Sequence, residues 1–368
     1  MKYNLTATCR LGLESVLKDE LHKLNCQYLD VKNGEINFEG NEKTIVNCNL
    51  WLRTAERVLL KLAVFPATTF DGLFEVVSQI KWGELLPNNA KIVIVDKCVE
   101  SQLMSGRSVQ SISKKAIAES LMKKYKVTWL SEDGAEFLIH VDVIKDIVTV
   151  SLDSSGAGLH KRGYRAQAGE APLRETIASA MIMLSNWNPA KPLYDPFCGS
   201  GTILIEAALM AQNIAPGISR AFAAQDWPFI DKQLWMDARK DALSKRKSGE
   251  CDISGSDIDE DMIRLAQANA KKAGVGFIKF RQMDFENFEF SSKSGTVITN
   301  PPYGERISDI QSAEKIIGSL GEKLQKKASW SYFILSSHED FERIFGRKAN
   351  KKRKIYNGKI RCYDYSYL

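Results

Sequence analysis

The sequence predicts an α/β protein: an open, mostly parallel sheet closed by an antiparallel hairpin and preceded by an α+β region. Three observations carry this. From about His160 onward, β-rich runs alternate with helical periodicity, the signature of a parallel sheet with crossover helices. Before that point the order is strand, helix, strand, strand, helix, strand, with no such alternation. Near the end, Asn357-Gly358 separates two β-rich runs, which predicts a terminal hairpin.

The elements follow in order. Alternation predicts a strand over 3–8. Leu13, Val16, Leu17, Leu21 and Leu24 then give helical spacing over 11–24. Short strands over 27–31 and 35–38 meet at Asn33-Gly34, a turn pair. A helix over 44–52 and an apolar strand over 57–65 complete a ferredoxin-like unit, residues 1–66. A second unit, 67–155, reads as a helix over 70–80, a strand over 91–95 and a basic helix over 109–125. It ends with strands over 137–143 and 147–152 around Lys145-Asp146. Residues 154–158, rich in Gly and Ser, read as a linker. The third unit, 156–368, has strands predicted over 193–194, 253–257, 277–281, 296–299 and 332–336. Residues 354–356 and 359–367 form the hairpin. Such a sheet is more characteristic of methyltransferases than of dehydrogenases.

Composition narrows the class. With 44% hydrophobic and 26% charged residues in 368, the chain is globular and long enough for two or three domains. The longest apolar stretch, 177–184, is broken by Ser179 and too short to span a bilayer; no secretory h-region is visible at the start. Seven cysteines without C-x-x-C spacing, four scattered histidines and no HExxH argue for reduced thiols in a cytoplasmic protein without a metal site. A net charge of +6 permits a nucleic-acid partner. The pattern sets no oligomeric state.

Three motifs carry chemistry. Asp195-Pro196-Phe197-Cys198-Gly199-Ser200-Gly201-Thr202 follows a strand and opens a helix. Its glycines allow close backbone approach, and the helix start offers free N–H groups. Leu204 occupies the place of the third dinucleotide-binding glycine, and no lysine follows as in a P-loop. Asp257 ends a predicted strand, where a carboxylate can accept both ribose hydroxyls; an N-cap is the plainer role. Asp284 could receive an adenine amino group or be a solvated loop acid. The gap between Gly201 and Asp257 implies an insertion around 213–249. Asn300-Pro301-Pro302-Tyr303 follows the strand over 296–299. The lone pair of an exocyclic amino group is delocalised into its ring. The Asn300 side-chain oxygen and the Pro301 carbonyl can accept its two protons, and Tyr303 can stack on the base.

On these residues the chain resembles the THUMP-domain class I RNA methyltransferases, specifically the bacterial 23S rRNA guanine-N2 methyltransferases. Also matching are His160-Lys161-Arg162-Gly163-Tyr164-Arg165, Ala171-Pro172-Leu173-Arg174-Glu175-Thr176 and, after Tyr303, Gly304-Glu305-Arg306. The resemblance spans the chain. It implies a Rossmann-like class I methyltransferase domain preceded by ferredoxin-like and THUMP regions, with S-adenosylmethionine as cofactor. Asn300, Pro301, Pro302 and Tyr303 would be catalytic. Leu173 and Thr176 would flank the cofactor's methionine part, and the 195–202 loop, Asp257, Asp284 and Asn300 would complete its site. The expected partner is RNA, 23S rRNA by resemblance. Two alternatives stay open: a tRNA guanine-N2 methyltransferase of the same architecture, and an RNA-binding assembly factor with a vestigial catalytic domain.

Two basic regions are candidate RNA contacts. Arg107, Lys114, Lys115, Lys123 and Lys124 lie on or beside the second unit's helix. Lys351, Lys352, Arg353 and Lys354 lie in a C-terminal stretch with no acid between Arg343 and Tyr363.

Overall fold

The computed structural model describes residues 2–165, 173–290, 292–302, 307–325, 329–358 and 360–368. The first unit runs β1 (Tyr3–Cys9), α1 (Glu14–Lys23), β2 (Gln27–Lys32), β3 (Glu35–Gly40), α2 (Glu42–Trp51) and β4 (Ala55–Pro66). The second adds α3 (Phe70–Gln79), α4 (Trp82–Leu85), β5 (Lys91–Val99), α5 (Gly106–Tyr125), β6 (Glu136–Ile144) and β7 (Ile147–Asp153). Both units share one sheet of order β2-β3-β1-β4-β7-β6-β5. The twelve-residue β4 is the common member. Its first half pairs with β1 and its second, from Leu59, with β7, and the register shifts between Lys61 and Ala63. The Lys145-Asp146 turn has φ of 52° and 60°, so it is the primed two-residue turn that matches strand twist.

The third unit runs α6 (Glu175–Ser185), β8 (Leu193–Asp195), α7 (Thr202–Ala211), α8 (Lys232–Ser244), β9 (Ile253–Asp257), α9 (Glu260–Lys272), β10 (Lys279–Gln282) and β11 (Gly295–Thr299). It continues with α10 (Ile307–Leu324), β12 (Trp330–Ser336), α11 (Phe341–Phe345), β13 (Lys351–Asn357) and β14 (Ile360–Tyr367). The sheet order is β10-β9-β8-β11-β12-β14-β13. The first five strands are parallel, and β14 is antiparallel to both neighbours. β8 and β11 are buried at every residue, as central strands covered on both faces must be. Strand order reverses between β8 and β11, so a crevice opens beyond their carboxyl ends.

One expectation changes, and another gains a structural role. Residues 154–158 are not a loose linker. Ser154 and Ser155 are fully buried. Ser154 Oγ donates to Val58 O at 2.6 Å and accepts from Asn49 Nδ2 at 2.8 Å; Ser155 Oγ donates to Asn49 Oδ1 at 2.7 Å. Small side chains let this backbone lie flat on β4, and their hydroxyls fill its open hydrogen bonds. The insertion around 213–249 clasps the N-terminal units to the third unit. Gly217 N donates to Leu50 O at 3.0 Å, and any Cβ there would sit 2.7 Å from Asn49 O. Arg220 donates to the carbonyls of Gly158, Lys161, Ser155 and Ala157.

At the centre of this joint lies a buried ion pair. Arg162, 4% exposed, reaches Glu206, 0% exposed, at 3.4 Å. Its guanidinium also donates to Leu159 O at 2.6 Å and to Arg53 O. Ser179 Oγ and Tyr164 Oη donate to the Glu206 carboxylate at 2.6 and 3.2 Å. Burial alone would lower the Arg162 pKa; the Glu206 and Glu175 carboxylates outweigh it and raise it. Removing one partner leaves the other charge buried and unpaired, a loss of about 3–5 kcal/mol. Glu206→Ala should therefore lower the thermal midpoint by roughly 6–20 °C, at about 2–4 °C per kcal/mol. Calorimetry checks this; a midpoint within 1 °C of wild type would show that the pair is dispensable.

Candidate cofactor and base site

Everything in the crevice is built on the loop between β8 and α7. Asp195, the last residue of β8, is 1% exposed. Its Oδ1 accepts from Phe197 N at 3.1 Å and from Thr299 Oγ1 at 2.6 Å. Burial raises its pKa to about 7, and the Asp257 charge adds to this, against the lowering effect of its two donors. The Thr299 bond matters because Thr299 ends β11 and the next residue is Asn300. Beyond the β8–β11 pairing, this hydrogen bond ties the start of the glycine loop to the Asn-Pro-Pro segment.

The loop turns on two left-handed glycines. Gly199 has φ +49° and open space where a Cβ would be. Gly201 has φ +81°, and a Cβ would meet Phe280 and Ala266 at 3.0 and 3.1 Å. L-residues avoid this backbone region. Asn269 Nδ2 donates to Ser200 O at 3.1 Å, and Cys198 N to Ser256 O at 2.9 Å, tying the loop to α9 and β9. Gly255 of β9 has no room for a Cβ, which would press on the Leu204 side chain and lie 2.9 Å from Cys198 Cβ.

Asp257, at the end of β9, accepts from Gly199 N at 2.9 Å through Oδ2 and from Asp259 N at 3.1 Å through Oδ1. The N-cap of α9 is Asp259. Each Asp257 oxygen keeps a further lone pair, so the carboxylate is aimed by the backbone and can still receive a diol. The vacant volume before Gly199, the free amides at the start of α7 and this carboxylate fit a nucleoside carrying a charged tail.

The other sequence candidates are placed as follows. Pro196 and Cys198 are buried, and Phe197 is half-buried 5.3 Å from Phe285. Asp284 is exposed, and its Oδ1 caps the following turn by accepting from Glu286 N at 2.9 Å. The Thr176 hydroxyl donates to Glu56 Oε1 of β4 at 2.8 Å, so it braces the N-terminal sheet. Leu173 is buried, and its carbonyl accepts from Arg165 at 2.7 Å. Pro301 is buried, Asn300 half-buried and Pro302 exposed. Tyr303, with Gly304, Glu305 and Arg306, lies outside the described residues, as do Ala171 and Pro172.

Some contributors carried no assigned role in the sequence reading. Arg165 also donates to Thr202 Oγ1 and pairs with Glu175 at 3.3 Å, joining three segments at the mouth of the loop. Phe288 stacks on Tyr194 at 3.7 Å. Arg165 closes a matching stretch in the sequence, which was its signal; Thr299 and Phe288 had none.

The basic candidates divide. Arg107, Lys123 and Lys124 are exposed on α5. Lys114 pairs with Glu132 at 2.8 Å, and Lys115 lies 3.8 Å from Glu119. Lys351 and Lys354 are exposed on β13. Lys352 lies 3.6 Å from Glu342 and over the Tyr363 ring. Arg353 donates to Gly12 O and Ser15 Oγ, both at 3.0 Å, so it straps β13 to the first unit. Among the described residues no group of three metal-ligating side chains occurs, and no helix is long and apolar enough to cross a membrane.

Comparison with known proteins agrees with this architecture. Residues 162–366 match the RMKL-like methyltransferase domain, 4–59 the RlmL ferredoxin-like domain and 67–153 the THUMP domain. YpsC of Bacillus subtilis, whose name provisionally makes it an RNA methyltransferase, is 44% identical over 100% of this chain and 96% of its own length. The ribosomal RNA large subunit methyltransferase K/L of Legionella pneumophila is 33% identical over 98% of this chain, which spans 52% of that enzyme. Among solved structures, SMU.472 complexed with SAH superposes with a TM-score of 0.94 at 40% identity, covering 100% of this chain and 98% of that one. The chain belongs to the RMKL-like family of S-adenosylmethionine-dependent methyltransferases.

Proposed function

We propose that this protein methylates the exocyclic N2 amino group of a guanine in 23S rRNA. The observation that carries the reading is the Thr299–Asp195 bond. It holds the Asn300-Pro301 acceptors at the carboxyl end of β11, beside the cofactor loop on β8. S-adenosylmethionine supplies an electrophilic methyl on a sulfonium, so the chain needs neither a nucleophile of its own nor a metal. Its residues have to orient a weak nucleophile. The Asn300 amide oxygen and the Pro301 carbonyl accept hydrogen bonds from the two amino N–H groups and turn the nitrogen lone pair toward the methyl. Two prolines fix the backbone so that these acceptors are placed in advance. Tyr303 stacks on the extruded base. The family resemblance, rather than the Asn-Pro-Pro-Tyr motif, supports guanine and the large-subunit RNA. A tRNA guanine is the second reading, supported by the shared ferredoxin-like and THUMP architecture. Mass-spectrometric mapping of rRNA and tRNA from cells lacking the gene decides between them: loss of one N2-methylguanosine from 23S rRNA is expected, and loss from tRNA alone would transfer the assignment.

Substitutions at three positions test the site. Asp257→Ala should weaken S-adenosylhomocysteine binding by about 1.5–3 kcal/mol, the value of a charge-assisted hydrogen bond. Calorimetry measures it, and unchanged affinity would remove Asp257 from the cofactor site.

Asn300→Ala should lower kcat by about 10²–10³, the scale for a pre-placed polar group acting on transition-state charge, with RNA affinity nearly unchanged. Single-turnover methylation at the wild-type rate would exclude this role.

Tyr303→Ala should cost roughly 1–3 kcal/mol in RNA engagement, the range for one base–aromatic contact, whereas Tyr303→Phe should retain most activity. Equal inactivity of the two variants would show that the hydroxyl, not the ring, is needed.

A further inference from the structure

A groove of about 700 Å³ runs between the start of α1 and the free edge of β13. Gly12, Ser15 and Lys18 form one wall, and Lys352, Arg353 and Lys354 the other. Its floor is built rather than incidental. Arg353 donates across it to Gly12 O and Ser15 Oγ. Gly12, at φ +93°, lies so close to the Lys354 carbonyl that a Cβ would collide with it. The one acid in the lining, Glu14, is engaged by the backbone: its two oxygens accept from Gly12 N at 2.9 Å and Gly34 N at 2.8 Å. The cations at the rim rest on aromatic rings. Lys18 Nζ lies 4.4 Å from the Tyr28 ring centre, and Lys354 Nζ 5.2 Å from that of Tyr356.

Strand register connects this groove to the reaction. Lys354 pairs with Tyr363, and Tyr363 with Ser336 at the carboxyl end of β12. The β12 partner of Thr299 is Ile334, so Ser336 is level with the residues just past Asn300. Lys354 therefore stands on the same rim as the Asn-Pro-Pro segment, three strand spacings away, about 14 Å.

We propose that this groove is an RNA tract: it binds the phosphodiester backbone of the single strand flanking the target nucleotide and leads that strand onto the rim at Asn300. The inference rests on the RNA methyltransferase reading above and assigns Lys18, on the ferredoxin-like unit, to substrate binding. Lys18 and Lys354 bind phosphate, and Arg353 is a positioning residue.

The test uses the full chain, a short single-stranded RNA oligonucleotide and filter binding across a salt series. Each phosphate contact to a single strand contributes about 0.7 to the slope of log K against log salt. Lys18→Ala and Lys354→Ala should each flatten the slope by about that amount, and together by about twice it. S-adenosylhomocysteine affinity serves as the check that the variants are folded. Wild-type slopes in both variants, with wild-type protein methylating RNA, would overturn the groove and leave the methyltransferase reading intact. Flattened slopes in a wild-type background that binds the oligonucleotide but transfers no methyl to any RNA would support the groove and overturn the reading. A slope that changes only in Lys123→Ala or Lys124→Ala would place the contact on α5 and overturn the groove.

Discussion

The Arg162–Glu206 pair is the constraint on which the arrangement of this molecule depends. Arg162 lies on the chain entering the catalytic unit and Glu206 on α7, the helix that follows the glycine loop. The guanidinium also holds the carbonyl of Arg53, which belongs to the first unit. Arg53 in turn donates to Ile214 O at 2.6 Å, and its own N–H donates to Glu20 Oε1 at 2.8 Å. Burial lowers the Arg53 pKa to about 10 and raises that of Glu20. A chain of buried charges across a joint adds little net stability compared with an apolar core of the same shape. Its cost when mismatched is large, so it rejects other dockings of the units. The joint is specified by these paired groups, though Arg53 Nη1 and Arg162 Nε are buried without a hydrogen-bond partner, and the apolar surface around it supplies the attraction.

What could be read from the sequence follows from how local each cause is. The strand–helix alternation after His160 and the Asn357-Gly358 turn are short-range signals, and both appear in the sheet order. The glycine loop was legible because tight turns demand particular residues at adjacent positions. Ser154 and Ser155 were misread because their partners, Val58 and Asn49, lie about a hundred residues away, and composition alone suggested a linker. Arg353 looked like its lysine neighbours in a basic run, yet its guanidinium reaches Gly12 and Ser15, more than three hundred residues earlier. The Thr176 hydroxyl meets Glu56 for the same kind of reason. Glu56 also lies beside Arg10, His160 and Arg174; against its burial, hydrogen bonds from His160 and Thr176 and the nearby Arg10 charge lower its pKa to about 2.

Within the catalytic unit, the loop after β8 receives bonds from four directions. Thr299 comes from β11, Asn269 from α9, Ser256 from β9 and Arg165 from the entering chain. None of these four side chains or carbonyls belongs to the glycine motif. The motif supplies permissive backbone, and its neighbours supply the conformation. A site built this way holds its shape before any ligand arrives, which is the condition for electrostatic preorganisation.

The shared strand β4 has a consequence for how a large substrate is met. Because one continuous strand belongs to both N-terminal units, no hinge separates them, and the buried joint fixes them to the catalytic unit. The lysines of α5 and the Asn-Pro-Pro segment therefore stand a constant distance apart, as the jaws of a fixed gauge do. On the proposed function, an RNA that engaged both points would have to span that fixed distance.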